Sequence, residues 1–195
     1  SHLSTYCRTF EEATALYVKL SQGKVSIDEE KELSFYERGW NLLAELGYAQ
    51  YEISNFAKPD AECRHNMNTW RMHEWIGCGP SSASQYNGER YQRPANLEEW
   101  CLGMESATSP KTEHITLDDN LLLADAVIFG LRMNSGVDLK TLNLRFAHAT
   151  NRIDLETKLK FFEKEGLLKS KNTHYKLTHQ GRLLCDSLGS NLLDV

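Results

Sequence analysis

The chain has 195 residues, 41% hydrophobic and 25% charged, the balance of an ordinary globular protein long enough for one large domain or two small ones. Its net charge of −5 argues against a nucleic-acid-binding footprint, which is normally strongly basic. The best apolar run, Leu121 to Leu131, carries Asp125 and falls short of a membrane span, and no signal-peptide pattern is present.

Five cysteines (Cys7, Cys63, Cys78, Cys101 and Cys185) are odd in number and widely spread, which points to a reducing, cytoplasmic compartment. No pair has C-x-x-C spacing, so the chain carries no sequence-local zinc or iron–sulfur site.

The chain opens at Ser1 with a strand-like stretch, Leu3 to Tyr6, and reads as a segment that starts inside a domain. A helix is expected from near Thr9, with Glu11 and Glu12 in its first turn, ended by "SQGK". Ser26 and Glu29 read as a capping box ahead of Leu33, Tyr36, Trp40 and Leu43 at helical spacing, with Gly47 as the C-cap. Ala49, Tyr51 and Ile53 then alternate with Gln50, Glu52 and Ser54, the period of a strand. Strand, helices, strand is the pattern of a crossover between parallel strands in an α/β sheet.

In such sheets the functional location lies just past the C-terminal end of a strand. The loop "ECRHNMNTW", residues 62 to 70, sits there and holds the densest set of chemically capable side chains in the chain. Cys63 and His65 can each bind a metal, but their i, i+2 spacing is not that of the usual local zinc pairs. Two readings stay open: a polar, hydrogen-bonded loop, or one in which His65 ligates an iron porphyrin or orients a substrate. In the second, Trp70 stacks on a flat ligand and Arg64 pairs with a carboxylate.

Residues 77 to 94, rich in Gly, Ser and Pro, read as loop, with Asn87-Gly88 as a hairpin turn between "SASQY" and "ERYQR". Within it "GCGPSS" is either a sterically demanded turn or a close backbone approach to a cofactor. A less ordered linker is expected over 106 to 114. Thr116 and Asp119 then cap a helix through Leu121, Ala124, Ile128 and Leu131, ending at Gly136. A shorter helix follows Asp138, and Asn151 caps another through Ile153, Leu159 and Phe162, stopped by Gly166. "GLLKSKNTHYKLT" reads as a hairpin turning at Lys171-Asn172, and Thr178 begins a last helix through Leu183, Leu184 and Leu188. Three helices, a hairpin and a helix are the order of a winged-helix-like domain.

The winged-helix order raises DNA binding. Its helix holds Arg152, Lys158, Lys160 and Lys164, but these are matched by Asp154, Glu156, Glu163 and Glu165. Asp154–Lys158 and Glu156–Lys160 are i, i+4 pairs, which favours a solvated face. Ser-His-Asp catalysis lacks its G-x-S-x-G elbow.

Five stretches, "HLSTY", "GYAQYEISNFAKP", "CRHNMNTW", "GCGPSSAS" and "GLLKSKNTHYKLTHQGRLLCDSL", together resemble the oxygen-independent coproporphyrinogen III oxidase-like radical SAM proteins, and most closely their HemW heme-chaperone branch. The resemblance implies an α/β fold: the C-terminal portion of a partial (β/α) radical SAM barrel over residues 1–105, then a winged-helix-like α+β domain over 115–195. It implies a [4Fe–4S] cluster and S-adenosylmethionine in the full-length parent only. The family's C-x-x-x-C-x-x-C loop lies upstream, so this chain alone should be inactive in radical chemistry.

The branch motif H-N-x-x-[YF]-W, associated with heme handling and lacking its histidine in the true oxidases, is met by His65, Asn66 and Trp70. Thr69 stands where an aromatic residue is expected, and Ala83 stands where many members carry histidine. Gly77, Gly79 and Ser84 match the family turn that faces the cofactor side.

By this resemblance His65 is the axial ligand of heme iron, Arg64 a propionate partner, Asn66 an orienter of the loop, Trp70 a porphyrin wall, and Cys63 a second ligand or a buried thiol. The implied function is a heme chaperone delivering heme to respiratory-chain or heme-storage proteins. An oxygen-independent coproporphyrinogen III oxidase is the alternative, and a winged-helix regulator the third. Heme is the expected partner, with no nucleic acid and no membrane span. Exposed barrel edges imply self-association.

Overall fold

The computed structural model describes residues 1–6, 10, 12, 14–108 and 110–193, apart from the side chain of residue 29. The chain forms two compact units, Ser1–Cys63 and Arg64–Val195.

In the first unit, strand β1 (His2–Ser4) leads to helices α1 (Ala15–Ser21) and α2 (Glu29–Glu45), then to strands β2 (Ala49–Gln50) and β3 (Asn55–Ala57). Thr14 caps α1 by accepting from the Tyr17 amide at 3.2 Å. The expected start at Thr9 and the acid Glu11 lie outside the described residues. The cap of α2 is Asp28 and not Ser26: its Oδ1 accepts from the Lys31 amide at 3.0 Å. An aspartate directly before the first helical residue reaches the orphan amides, whereas Ser26 lies two residues outside. Trp40 and Leu43 face inward, and Gly47 terminates the helix at φ +75° as expected.

The sheet order is β1-β3-β2, with both outer strands antiparallel to β3. β1 and β2 therefore run in the same direction, as the strand–helices–strand order requires, but β3 lies between them. The alternation over 49–54 does not persist as a strand. Glu52, fully buried, turns its carboxylate onto the Ser54 amide at 2.8 Å and Asn55 Nδ2 at 2.5 Å. That side chain–backbone competition ends β2 after two residues and sets up the turn into β3.

In the second unit, helix α3 (Arg64–Trp70) precedes strands β4 (Ala83–Tyr86) and β5 (Glu89–Gln92), helix α4 (Leu97–Glu105) and strand β6 (Thr112–Thr116). The hairpin turns at Asn87-Gly88, both with positive φ. β6 adds antiparallel to β5 with an irregularity between Arg90 and Gln92, so Thr112 to His114 are strand and not linker. Their side chains are all exposed, which is why no apolar period announces them.

Helix α5 (Asp119–Arg132), strand β7 (Val137–Asp138), helices α6 (Leu139–Arg145) and α7 (Arg152–Lys164), strands β8 (Leu168–Lys171) and β9 (His174–Leu177), and helices α8 (His179–Leu183) and α9 (Cys185–Leu193) complete the chain. Helices and a β7-β9-β8 sheet in this order are the winged-helix-like arrangement. Leu123, Val127, Leu155, Leu159 and Leu192 form its fully buried centre.

Three local expectations shift. α5 is capped by Asp118, which accepts from the Leu121 amide at 2.9 Å, and not by Thr116 or Asp119. Asn151 precedes α7 without a side-chain cap bond, its Nδ2 donating instead to the Asn120 carbonyl at 3.1 Å. The last helix is broken at Leu184 into α8 and α9. Asp125, the charge inside the apolar run, is buried and meets Arg90 Nη2 at 2.6 Å, and the same guanidinium donates to Gln85 Oε1. A buried carboxylate requires such a partner, and this one pins the β4–β5 hairpin to α5. Among the described residues no helix is long and apolar enough to cross a membrane.

Candidate functional site

The segment expected as a loop is the helix α3. It has no apolar period, and its stability comes from what holds its C-terminal end. The His73 amide donates to the Asn68 carbonyl at 3.1 Å and the Met72 amide to the Thr69 carbonyl at 2.9 Å, the paired bonds of a Schellman cap. The left-handed position in that cap is Met72, at φ +57° and 2% exposed, where glycine is usual. Arg145 at the end of α6 donates Nη1 to the Arg71 carbonyl at 2.9 Å and Nη2 to that of Met72. One guanidinium thus occupies the carbonyls that the helix end leaves open.

Trp70 fastens the same end to α5. Its ring lies 5.7 Å from that of Phe129, and the Arg132 guanidinium sits 4.9 Å from its centre. Arg132 is held in turn by Asp186 at 2.8 Å. Trp70 is half-buried and its Nε1–H is buried without a partner among the described residues.

The other end of α3 is different. Arg64 and His65 are exposed, Asn66 is half-buried, and none of the three side chains has a partner among the described residues. Asn66 and Trp70 are one turn apart and share a face. Five residues of helix place His65 about 140° around the axis from Trp70. The structure therefore brings Asn66 to the side of the tryptophan and leaves the imidazole on another side. Cys63 ends the first unit: its half-buried thiol is free, and its amide donates to Tyr51 Oη at 3.3 Å. Tyr51 Oη also meets His2 Nε2 at 2.9 Å, a partnership sequence order alone does not announce.

Gly77, Gly79 and Ser84 do come together. The Gly77 amide donates to Ser84 Oγ at 3.0 Å, and Ser84 is fully buried. A Cβ on Gly77 would stand 2.3 Å from the Ala83 carbonyl oxygen, so close approach of two backbones demands glycine here. Gly79, at φ +106°, lends its carbonyl to Ser82 Oγ at 2.7 Å. Trp75 pairs with Gln85 through an antiparallel bridge, and Glu74 Oε1 accepts from the Asn87 amide at 2.6 Å. The turn is thus stitched to the hairpin.

On α7, Lys160 meets Glu156 at 2.7 Å as the i, i+4 spacing predicts, whereas Lys158 donates to the Asn191 carbonyl and not to Asp154. Among the described residues no three His, Cys, Asp or Glu side chains gather at metal-binding distance, and Cys63, Cys78 and Cys101 are free.

Comparison with known proteins matches residues 117–184 to the HemN C-terminal domain. The mitochondrial radical S-adenosyl methionine domain-containing protein 1 of Danio rerio is 34% identical over 145 residues, 70% of this chain and 33% of that protein. The heme chaperone HemW of Mycobacterium tuberculosis is 29% identical over 193 residues, 98% of this chain and 47% of that protein. HemW of Bacillus subtilis is 26% identical over 94% of this chain and 48% of its own length. The chain thus spans between a third and a half of the length of these relatives. Among solved structures, the coproporphyrinogen III oxidase HemN of Escherichia coli, described as a radical SAM enzyme, matches the fold with a TM-score of 0.68 at 17% identity, over 90% of this chain and 45% of that one. With the accessory domain matched in sequence and the remainder aligned to full-length relatives, the chain belongs to the HemN/HemW-like radical SAM proteins and corresponds to their C-terminal part.

Proposed function

We propose that this chain is the heme-handling portion of a heme chaperone that passes its cargo to respiratory-chain or heme-storage proteins in a reducing cytoplasm. The observation that carries the reading is the exposed imidazole of His65, without a partner among the described residues and presented on a short helix whose far end is fixed by Arg145 and Trp70. The alignment of almost the whole chain with proteins named heme chaperone supports it.

In this reading His65 ligates the heme iron, and Arg64 beside it pairs with a propionate. Half-buried Asn66 orients the exposed turn, and Cys63, next before the helix, is a second ligand or a buried thiol. Trp70 serves as a wall at the fixed end. The turn with Gly77, Gly79 and Ser84 holds the hairpin on the cofactor side of the family's barrel. By descent, residues 1–105 belong to that barrel and 115–195 to the family's C-terminal domain, whichever way the compact units divide. Exposed Phe35, Leu42 and Leu46, which share one face of α2, offer the surface for self-association.

Radical SAM membership implies a [4Fe–4S] cluster and S-adenosylmethionine in the full-length parent. The cysteines here do not fit that cluster: none has C-x-x-x-C-x-x-C spacing and no described ligand set gathers. The binding steps proposed for this chain do not pass through it.

The test is heme titration of the full-length protein with and without His65→Ala. The variant should shift the Soret band and weaken binding, and an unchanged band with unchanged affinity would remove the ligand assignment. Conversion of coproporphyrinogen III by the full-length protein would instead place it with the oxidases.

A further inference from the structure

A cleft of about 290 Å³ opens beside the fixed end of α3. Its floor is apolar, formed by Ala126 and Gly130 of α5 and Leu142 of α6, and Trp70 stands at one wall. Its rim carries two arginines and an imidazole: Arg71 and His73 follow α3, and Arg145 reaches in from α6. Arg71 and His73 are exposed, and their side chains have no partner among the described residues.

The carboxylate lining the cleft, Asp138, stays an anion but is turned to its own neighbours and forms no ion pair with the rim among the described residues. Asp138 Oδ1 already accepts from Thr173 Oγ1 at 2.6 Å and from the Lys140 amide at 3.2 Å, and its Oδ2 accepts from Thr141 Oγ1 at 2.7 Å. Arg145 has committed two N–H groups to the helix-end carbonyls. Among the described residues Arg71 is the guanidinium at this rim left uncommitted.

An apolar floor, an aromatic wall and a rim with two arginines suit a ring that carries an acid side chain. At about 290 Å³ the cleft stands at the lower end of the roughly 300–1,000 Å³ that houses a whole drug-sized ligand, so it suits an edge of a macrocycle and not the whole. We infer that this cleft binds a carboxylate-bearing pyrrole edge of the tetrapyrrole, with Arg71 as its ion-pair partner and His73 as a second donor. The inference deepens the heme-handling reading and rests on it. It also separates the two arginines, since Arg64 lies at the opposite end of α3.

The experiment titrates the full chain with iron protoporphyrin IX and, in parallel, with its dimethyl ester, whose carboxylates are masked. Arg71→Ala should weaken binding of the diacid about tenfold, the loss of one charge-assisted hydrogen bond, and leave the ester's affinity within about twofold. Arg71→Lys should recover part of the loss. Lys164→Ala, which removes one positive charge from α7, should change neither ligand. Equal weakening of diacid and ester, or no change in either, would overturn the inference while leaving the heme-handling reading in place. A wild-type chain that binds neither ligand would defeat that reading and the inference with it.

Discussion

The N-terminal turn of α3 and the turn from Gly77 to Ser84 are both dense in polar groups, yet they are built in opposite ways. Around Ser84 the polar atoms are paired: the hydroxyl receives the Gly77 amide, Ser82 bonds the Gly79 carbonyl, and Trp75 pairs with Gln85. Arg64, His65 and Asn66 point side chains that no described residue answers. A satisfied cluster that is buried sets geometry, whereas an unsatisfied one that is exposed is free to meet a ligand. Position in the fold alone would rank the two alike, but partner by partner they separate into scaffold and candidate contact surface.

The largest effect that would break this contrast belongs to Gly77. In Gly77→Ala the new methyl would lie 2.3 Å from the Ala83 oxygen and 2.8 Å from Ser82 Cβ, so backbone must move. Overpacking of this kind costs roughly 1–3 kcal/mol, seen as a lower urea midpoint at unchanged slope. If the midpoint does not move, the turn is looser than its contacts imply and its scaffold role fails.

Next comes Arg145, which holds the C-terminal end of α3. Met72 holds a left-handed conformation that costs a non-glycine residue about 1–2 kcal/mol. Its burial and the guanidinium on the Arg71 and Met72 carbonyls keep it there. Arg145→Ala should cost about 1–2 kcal/mol, less than a buried pair would, because the arginine is exposed. Amide exchange should accelerate at Met72 and His73, whose N–H groups close the cap, more than in α7. Uniform acceleration across the second unit would mean that Arg145 supports the fold in general and not the helix end.

How much of this was legible in the sequence follows from how far away each cause lies. Gly47, Asn87-Gly88, Asp138 and Gly166 could be read because a cap or turn is decided by its own neighbours. The caps at Asp28 and Asp118 were missed by two residues because several side chains nearby can cap equally well and the helix's first packed turn decides among them. α3 was invisible because Arg-His-Asn-Met-Asn-Thr-Trp has no apolar stripe, and its support arrives from Arg145 and Phe129, far along the chain. Asp125 read as a flaw in an apolar run until Arg90, 35 residues earlier, supplied its partner. The residue types of the candidate site were legible from the motif, but the placement of His65 and Trp70 on different sides of a helix was not.

The smallest expected effect is the one that sharpens the contrast most. His65→Ala removes an exposed ring with no described partner, so stability should stay within about 0.5 kcal/mol of the parent. Alanine has the higher helix propensity, and any change should lean toward stabilisation. A residue that contributes nothing to the fold and yet governs the heme spectrum would have its function isolated from its structural role. Should the variant instead lose more than about 1 kcal/mol, His65 would be supporting the fold through contacts like those of Trp70, and a spectral change in that variant could no longer be assigned to a lost ligand.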